Sequence, residues 1–374
     1  MTEIVQPHIA EQTFTAVFGG EPVASAWAFG RVNLIGEHTD YNGGFVLPAL
    51  IPQSAVATVA PTGGDRVRVW SRELSLGHAF EAYQLGAERP RHTWVDYVQG
   101  VTVALRAAGH VVPGFDLALA SDVPLGSGLS SSAALEVSVL RALRQLFSLR
   151  IDDVEIARLG RAAETDFVGA PIGIMDQMAS SLGRPGVALF IDTRTLVTEA
   201  VSLPDGSALI VINSGVAHQH AQGDYRTRRA ECERAAALLG VPELREVTVD
   251  QLDRVAALPS PLDRRARHVV TENDRVLDAV EAMRVGDVVR LGVLFTDSHI
   301  SQRDDYECSV PEVDELVEIA LRDPSVFGAR LTGGGFGGSI VALAREAEAA
   351  AAAAHIAAEY ERRTDRRATV LVPA

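Results

Sequence analysis

Between Phe115 and Phe147 the chain reads FDLALAS, then DVPLGSGLSSSAALE, then a stripe of Leu135, Val139, Leu143 and Leu146. A β-rich run, a glycine-punctuated bend and apolar residues at spacings of four, four and three dictate one strand–loop–helix unit. Its helix must be buried along that stripe. Gly126 and Gly128 free the backbone to turn, three serines supply hydroxyls, and the helix starts at once. Such a loop points backbone N–H groups and a helix N-terminus at one spot, where aligned peptide dipoles favour an anion such as phosphate. A flexible glycine/serine loop with a serine helix cap is written with the same residues.

The surrounding pattern is mixed. AVATVAP and RVRVWS read as further strands, and Ile156, Leu159, Ala163 and Phe167 predict a helix over roughly 152–167, capped by Asp152 or Asp153. GVALFID and SALIVINS follow as strands, joined through LVTEAVSLPDGS, where proline, aspartate and glycine signal a turn. Beyond them come an arginine-rich helix in DYRTRRAECERAAALLG, helices through Asp297, the segment ARLTGGGFGGSIVALA, an alanine-rich helix up to Arg363 and a closing strand ATVLV. No fixed-period repeat runs through the chain. The expected class is α+β with two domains, 1–200 and 201–374.

Composition removes several functions. All 34 basic residues are arginine, so a lysine-dependent phosphate loop and Schiff-base chemistry are both excluded. A net charge of −15 without a basic patch argues against nucleic acid and anionic membrane as partners. Cys232 and Cys308 are far apart and in no CxxC pairing, which points to reducing cytoplasm rather than a disulfide framework. MTEIVQPHIA lacks a basic region followed by an apolar stretch, and no long apolar run appears later, so neither export nor membrane insertion is expected.

Three more stretches carry chemistry. GRVNLIGEHTDYNGGFVLP places an arginine, a glutamate, a histidine and an aspartate between apolar runs, where they either satisfy one another or hold something polar. In AETDFVGAPIGIMDQMASSLG, Asp176 lies at a half-buried turn, with Glu164 twelve residues earlier near a helix end. Either could be an ordinary turn or surface carboxylate. LTGGGFGGS sets five glycines round one phenylalanine, more than a bare hairpin needs, which lets a ligand or another backbone approach closely, or makes a tight strand-to-helix connection. Two glycine-rich loops and acidic residues suited to a divalent cation and a base are the parts needed for phosphoryl transfer.

On these motifs the sequence resembles the galactokinases of the GHMP small-molecule kinase superfamily. GRVNLIGEHTDYNGGFVLP is similar to the galactokinase signature, PLGSGLSSSAA to the superfamily's phosphate loop and LTGGGFGGS to its third motif. Similarity continues through GIMDQ, GDYRTRRAEC and SHISQRDDYECSVPEVDELV, in order along nearly the whole chain. The resemblance implies a two-domain GHMP kinase architecture with its active site in the cleft between domains, transferring the ATP γ-phosphate to the anomeric hydroxyl of α-D-galactose. Carried over by position, Asp176 is the catalytic base or its electrostatic equivalent and Arg31 orients it. Glu37, His38, Asp40, Gly173 and Tyr225 bind sugar. Gly126, Ser127, Gly128, Leu129, Ser130, Ser131, Ser132 and Ala133 cradle ATP, with Trp94 beside adenine. Ser131, or less favoured Ser132, and Glu164 hold Mg²⁺.

The same resemblance leaves a kinase for N-acetylgalactosamine, arabinose or a uronic acid as a rival, and a non-catalytic galactose/ATP sensor as another. The expected state is a cytoplasmic monomer or weak homo-oligomer. Phe29 and Ser339 stand where the family usually has proline and often has cysteine. His218 and His220 suggest a metal site by residue type, but their i, i+2 spacing supplies no further ligand and favours exposed or hydrogen-bonding histidines.

Overall fold

Residues 7–216 and 221–372 are described in a computed structural model of the chain. His218 and His220 lie outside the described residues. The chain divides into two compact units, one of Met1–Arg31, Ile51–Pro124 and Ser130–Leu182, the other of Val32–Leu50, Leu125–Leu129 and Gly183–Ala374.

In the first unit the strand Pro48–Pro61 pairs antiparallel with Phe115–Ser121, from Ala55 opposite Ser121 to Pro61 opposite Phe115. Phe115–Ser121 then runs parallel to Arg66–Ser71, which pairs antiparallel with Glu81–Gln84. Ala24–Asn33 lies on the other side of Pro48–Pro61. The alternation of strand side chains decides what covers each face. Leu117 and Leu119 join a core with Val98, Val101, Leu140, Leu143 and Ile156 from the helices Val95–Ala107, Ser131–Phe147 and Asp153–Ala162. Ala118 and Ala120 point the other way, toward Phe14 and Ala10 of the helix Pro7–Phe18. With both faces covered, FDLALAS is apolar at nearly every position rather than at every second one.

Two expectations are modified here. Asp152 does cap the next helix, accepting from Glu155 N at 2.8 Å, but the α-helix stops at Ala162. Residues Ala163–Val168 form a π-helical turn, whose wider spacing buries Glu164 instead of leaving it on a solvent-facing helix end. LVTEAVSLPDGS contains a strand, Thr198–Ser202, ahead of the turn at Pro204–Ser207.

In the second unit a four-stranded antiparallel sheet has the order Val326–Thr332, Ser339–Arg345, Ser207–Asn213, Thr369–Val372. Its core packs Ile210, Ile212, Leu331 and Ile340 against helices that include Ala221–Leu239, Leu262–Val285, Pro311–Arg322 and Ala349–Thr364. Thr332 pairs with Ser339, so LTGGGFGGS is the hairpin loop between the first two strands. Val187–Asp192 pairs with Phe45–Val46 and with Thr198–Ser202 in the same unit.

Candidate functional site

In the first unit the expected catalytic pair is formed. Arg31, at 4% exposure, reaches Asp176 Oδ1 with Nε at 2.9 Å and Nη2 at 2.7 Å. Asp176 sits in the first turn of the helix Met175–Leu182, and its other oxygen accepts from Ser130 Oγ at 2.6 Å. Ser130 is the residue preceding the Ser131–Phe147 helix and has φ +61°, a left-handed backbone that a non-glycine residue adopts only when its surroundings enforce it. Sequence reasoning placed Ser130 among the phosphate-binding residues; the structure also makes it a clamp on Asp176. Gly173 is buried two residues before that helix.

Next to this pair is a knot of buried acids. Gln177 Nε2 donates to Glu136 Oε2 at 3.0 Å and to Glu164 Oε2 at 2.9 Å. Gly160 makes room for it, since a Cβ there would meet Gln177 Cγ at 3.0 Å. Burial, and then the charge of Asp176, push the Glu164 carboxyl up to about 7 against the help of Ser132 and Gln177. Burial, and then Glu164 itself, hold Glu136 well above the usual carboxylate range. The hydroxyl bonded to Glu164 is that of Ser132, whereas Ser131 is half-buried beside it in sequence. Trp94 precedes the helix Val95–Ala107 and packs half-buried against the core, with no hydrogen bond to its indole among the described residues. Among those residues, no group of three or more His, Cys, Asp or Glu side chains is placed to close around a cation.

The second unit gathers the rest of the signature. Glu37, at 2% exposure, accepts from Gly333 N at 2.8 Å and is paired with Arg330, which is fully buried. Arg330 also donates to the carbonyls of Asn33 at 3.0 Å and Leu34 at 2.9 Å. Gly36, one residue earlier, donates to Glu272 Oε1 at 2.9 Å. Its φ of +100° and a Cβ clash of 2.6 Å with Phe45 O leave no residue but glycine there. Burial opposes ionisation of Glu272, yet Arg275, His268 and Arg330 hold its carboxyl far below the usual range.

His38 follows at φ +62°, its carbonyl taken by Asn42 Nδ2 at 2.8 Å. Its ring lies 4.5 Å from Tyr306, 5.2 Å from Tyr225 and 5.9 Å from Tyr41, centroid to centroid. Tyr225 comes from the helix Ala221–Leu239, and Asp40 begins the short helical turn Asp40–Asn42, half-buried. Glu37, His38, Asp40 and Tyr225 therefore belong to one unit, as Arg31, Asp176, Glu164 and Gly173 belong to the other. Arg330, Glu272, Tyr41 and Tyr306 were not singled out from the sequence, although Tyr41 lies inside EHTDYN and Tyr306 inside SHISQRDDYECSVPEVDELV.

The loop residues Leu125–Leu129 pack on the third glycine motif within the second unit. A Cβ on Gly333 would come within 2.8 Å of Gly128 O, and Ser339 Oγ donates to Ser127 O at 2.8 Å. Ser339, read from the sequence as a structural departure, is thus a tie between the two glycine-rich segments.

Three family models match: the GHMP kinases N terminal domain over residues 96–184, the galactokinase galactose-binding signature over 12–61 and the GHMP kinases C terminal over 279–362. A galactokinase from Lactococcus lactis, solved in complex with galactose, is 32% identical, with a TM-score of 0.91 over 97% of this chain and 96% of that one. The mevalonate kinase of Methanococcus jannaschii, 18% identical, gives 0.67 over 94% of this chain and 98% of its own. A mevalonate kinase from L. major, solved with R-mevalonate and 20% identical, gives 0.62 over 95% and 99%. At those identities the last two show likeness of fold alone.

Proposed function

The chain belongs to the galactokinase family of the GHMP kinases, and on that premise we propose how its residues divide the work. The reaction is transfer of the ATP γ-phosphate to the anomeric hydroxyl of galactose, giving galactose 1-phosphate and ADP. Glu37, His38, Asp40, Gly173 and Tyr225 hold the sugar. Carboxylates suit it because their oxygens only accept and so each fixes a hydroxyl in the donating direction. Residues 126–133 cradle the phosphates, and the Trp94 indole flanks adenine.

Asp176 acts on the attacking hydroxyl, as base or as fixed charge. The observation that carries this is its two-sided grip, Arg31 on one oxygen and Ser130 on the other. A carboxylate fixed at both oxygens needs no reorganisation while charge develops, and phosphoryl transfer depends on positioning and charge more than on covalent help. The proton leaves the anomeric oxygen late, as the bond to phosphorus forms, and passes to Asp176 acting as base or, with Asp176 as fixed charge, to an oxygen of the transferred phosphoryl group.

The donor set also suits Mg²⁺. That ion takes one or two carboxylates and leaves its other positions to water and phosphate, so a closed protein cage is not needed. Glu164 is a buried carboxyl pushed up to about 7 with a serine hydroxyl bonded to it, a group that an arriving cation would ionise. Glu164 and Ser131 would hold the ion, with Ser132 sharing the hydroxyl role. When bound, it would neutralise charge on the transferred phosphoryl group.

On this reading the sugar signature and phosphate loop lie in sequence within 1–200 and the third motif within 201–374, although Val32–Leu50 and Leu125–Leu129 pack in the second compact unit. We place the enzyme in the cytoplasm as a monomer or weak homo-oligomer; both cysteines are buried free thiols, which supports a reducing compartment. No helix among the described residues is long and apolar enough to cross a membrane. A coupled ADP-release assay over galactose, N-acetylgalactosamine, glucose and arabinose with Mg²⁺ and ATP tests the reading. Galactose should turn over fastest; folded protein that turns over none of the sugars, or prefers another, overturns it.

A further inference from the structure

Gln177 holds two acids at once. Its Nε2 donates to Glu164 Oε2 at 2.9 Å and to Glu136 Oε2 at 3.0 Å, so both N–H bonds of one amide end on carboxyl oxygens. Gln177 and Glu136 are fully buried and Glu164 is 6% exposed. Each comes from a different element: Glu136 from the helix Ser131–Phe147 that follows the phosphate loop, Glu164 from the π-helical turn and Gln177 from the helix Met175–Leu182. Gln177 is also the neighbour of Asp176, which Ser130, just ahead of Ser131–Phe147, already grips. The bonds Ser130–Asp176 and Glu136–Gln177 therefore fasten the same pair of helices.

The backbone of Glu164 is fixed independently. Its carbonyl accepts from Gly169 N and from Ala170 N, the latter at 3.0 Å. Gly100 lets the helix Val95–Ala107 close on the same turn, since a Cβ there would come within 2.8 Å of Ala163 O. What remains free in a glutamate is its long side chain, with several rotatable bonds. Gln177 removes that freedom at the carboxyl end. Room for the amide comes from Gly160, where a Cβ would meet Gln177 Cγ at 3.0 Å and Glu136 Oε2 at 3.4 Å.

The chemistry of an amide matters in this place. An arginine would orient the acids but also bring the positive charge that a divalent cation is to supply. An apolar side chain would leave them unoriented. Glutamine donates to both acids and adds no charge of its own. Partners behind a metal ligand count because they fix its direction before the ion arrives. We infer that Gln177, anchored by Glu136, is a positioning residue that holds the Glu164 carboxylate in one orientation for the divalent cation. This rests on the assignment of Glu164 to Mg²⁺.

Equilibrium binding of a non-hydrolysable ATP analogue, measured with excess Mg²⁺ and again in EDTA, tests this without turnover. Wild type should bind more tightly with Mg²⁺. Gln177→Met, of similar length but without a donor, should weaken binding with Mg²⁺ by about tenfold, while binding in EDTA and galactose affinity stay within about twofold. Glu136→Leu removes the anchor and should lose part of the Mg²⁺ gain, whereas Glu136→Gln, which keeps an acceptor for the amide, should stay closer to wild type. That second pair decides the matter if Gln177→Met does not fold. A role in stability alone would lower the unfolding midpoint of Gln177→Met and leave its Mg²⁺ gain intact; that result, or equal losses with Mg²⁺ and in EDTA, overturns the inference. Glu164→Gln separates it from the reading beneath it. No Mg²⁺ gain in wild type, or a full gain in Glu164→Gln, overturns the assignment of Glu164 to the ion and the inference with it. A gain lost in Glu164→Gln but kept in Gln177→Met overturns the inference alone.

Discussion

The two units treat buried charge in opposite ways. In the first, Arg31 pairs with Asp176 alone while Glu136 and Glu164 are bridged only by the neutral Gln177, and burial pushes Glu164 up to about 7 and Glu136 well above the usual carboxylate range. In the second, Glu37 and Glu272 are matched by Arg330 and Arg275, and burial instead pushes His268 down to about 4 and His38 well below its usual value. The first cluster is short of positive charge and the second is balanced. That difference fits their proposed ligands: a cation with a polyphosphate for one, an uncharged polyhydroxy sugar for the other.

Removing the charge at the centre of the first cluster should give the largest effect on turnover. Asp176→Asn should lower kcat by about 10³-fold, within the range for a positioned acid–base group, while the protein stays folded. Near-wild-type turnover would remove Asp176 from the chemistry. The second cluster should show its balance in stability. Arg330→Met leaves Glu37 and Glu272 buried without their shared cation and should cost about 3–5 kcal/mol in chemical denaturation. In the first cluster Glu136→Gln should cost less than about 1 kcal/mol, because Glu136 is already held in its neutral form. Equal losses from the two variants would erase the contrast.

A smaller effect separates the units by pH. His268 is lowered from 6.5 to about 4, so the stability tied to its neutral form is complete above 6.5 and is lost as pH falls toward 4. Glu164 is raised from 4.5 to about 7, so its contribution is complete below 4.5 and is lost as pH rises toward 7. Acidification from pH 7 to 5 should therefore weaken amide protection around His268 and strengthen it around Glu164 in the ligand-free protein, each by about 1–2 kcal/mol. Hydrogen exchange corrected for intrinsic rate measures this, and parallel changes in both regions would contradict it.

Much of this was legible in the sequence where chemistry is local. The strand–loop–helix of residues 115–147 and the capping Asp152 follow from period and residue type, and the resemblance placed Arg31 and Asp176 as a pair; LTGGGFGGS, whose structural reading was a strand-to-helix connection, joins two strands instead. Two kinds of feature were not legible. The π-helical turn at Ala163–Val168 leaves the 3.6-residue stripe almost intact, so its burial of Glu164 is invisible to periodicity. The partners of the signature are far away in the chain: Gly36 bonds Glu272, and Glu37 bonds Gly333 with Arg330 behind it. No local pattern marks Arg330, which looks like an ordinary strand residue, and Tyr306 lies within SHISQRDDYECSVPEVDELV with nothing in its neighbours to single it out.

The central claim is that one set of residues holds sugar and the other performs transfer. Equilibrium titration of galactose, and separately of a non-hydrolysable ATP analogue with Mg²⁺, against Asp40→Ala and Asp176→Asn tests it most directly. Asp40→Ala should lose galactose affinity by about 10²-fold or more, since an unpaired sugar hydroxyl and a lost charged acceptor combine, while keeping the nucleotide. Asp176→Asn should bind both ligands within about threefold of wild type and fail only in turnover. Equal loss of both ligands in Asp40→Ala, or lost galactose binding in Asp176→Asn that matches its lost activity, would contradict the division.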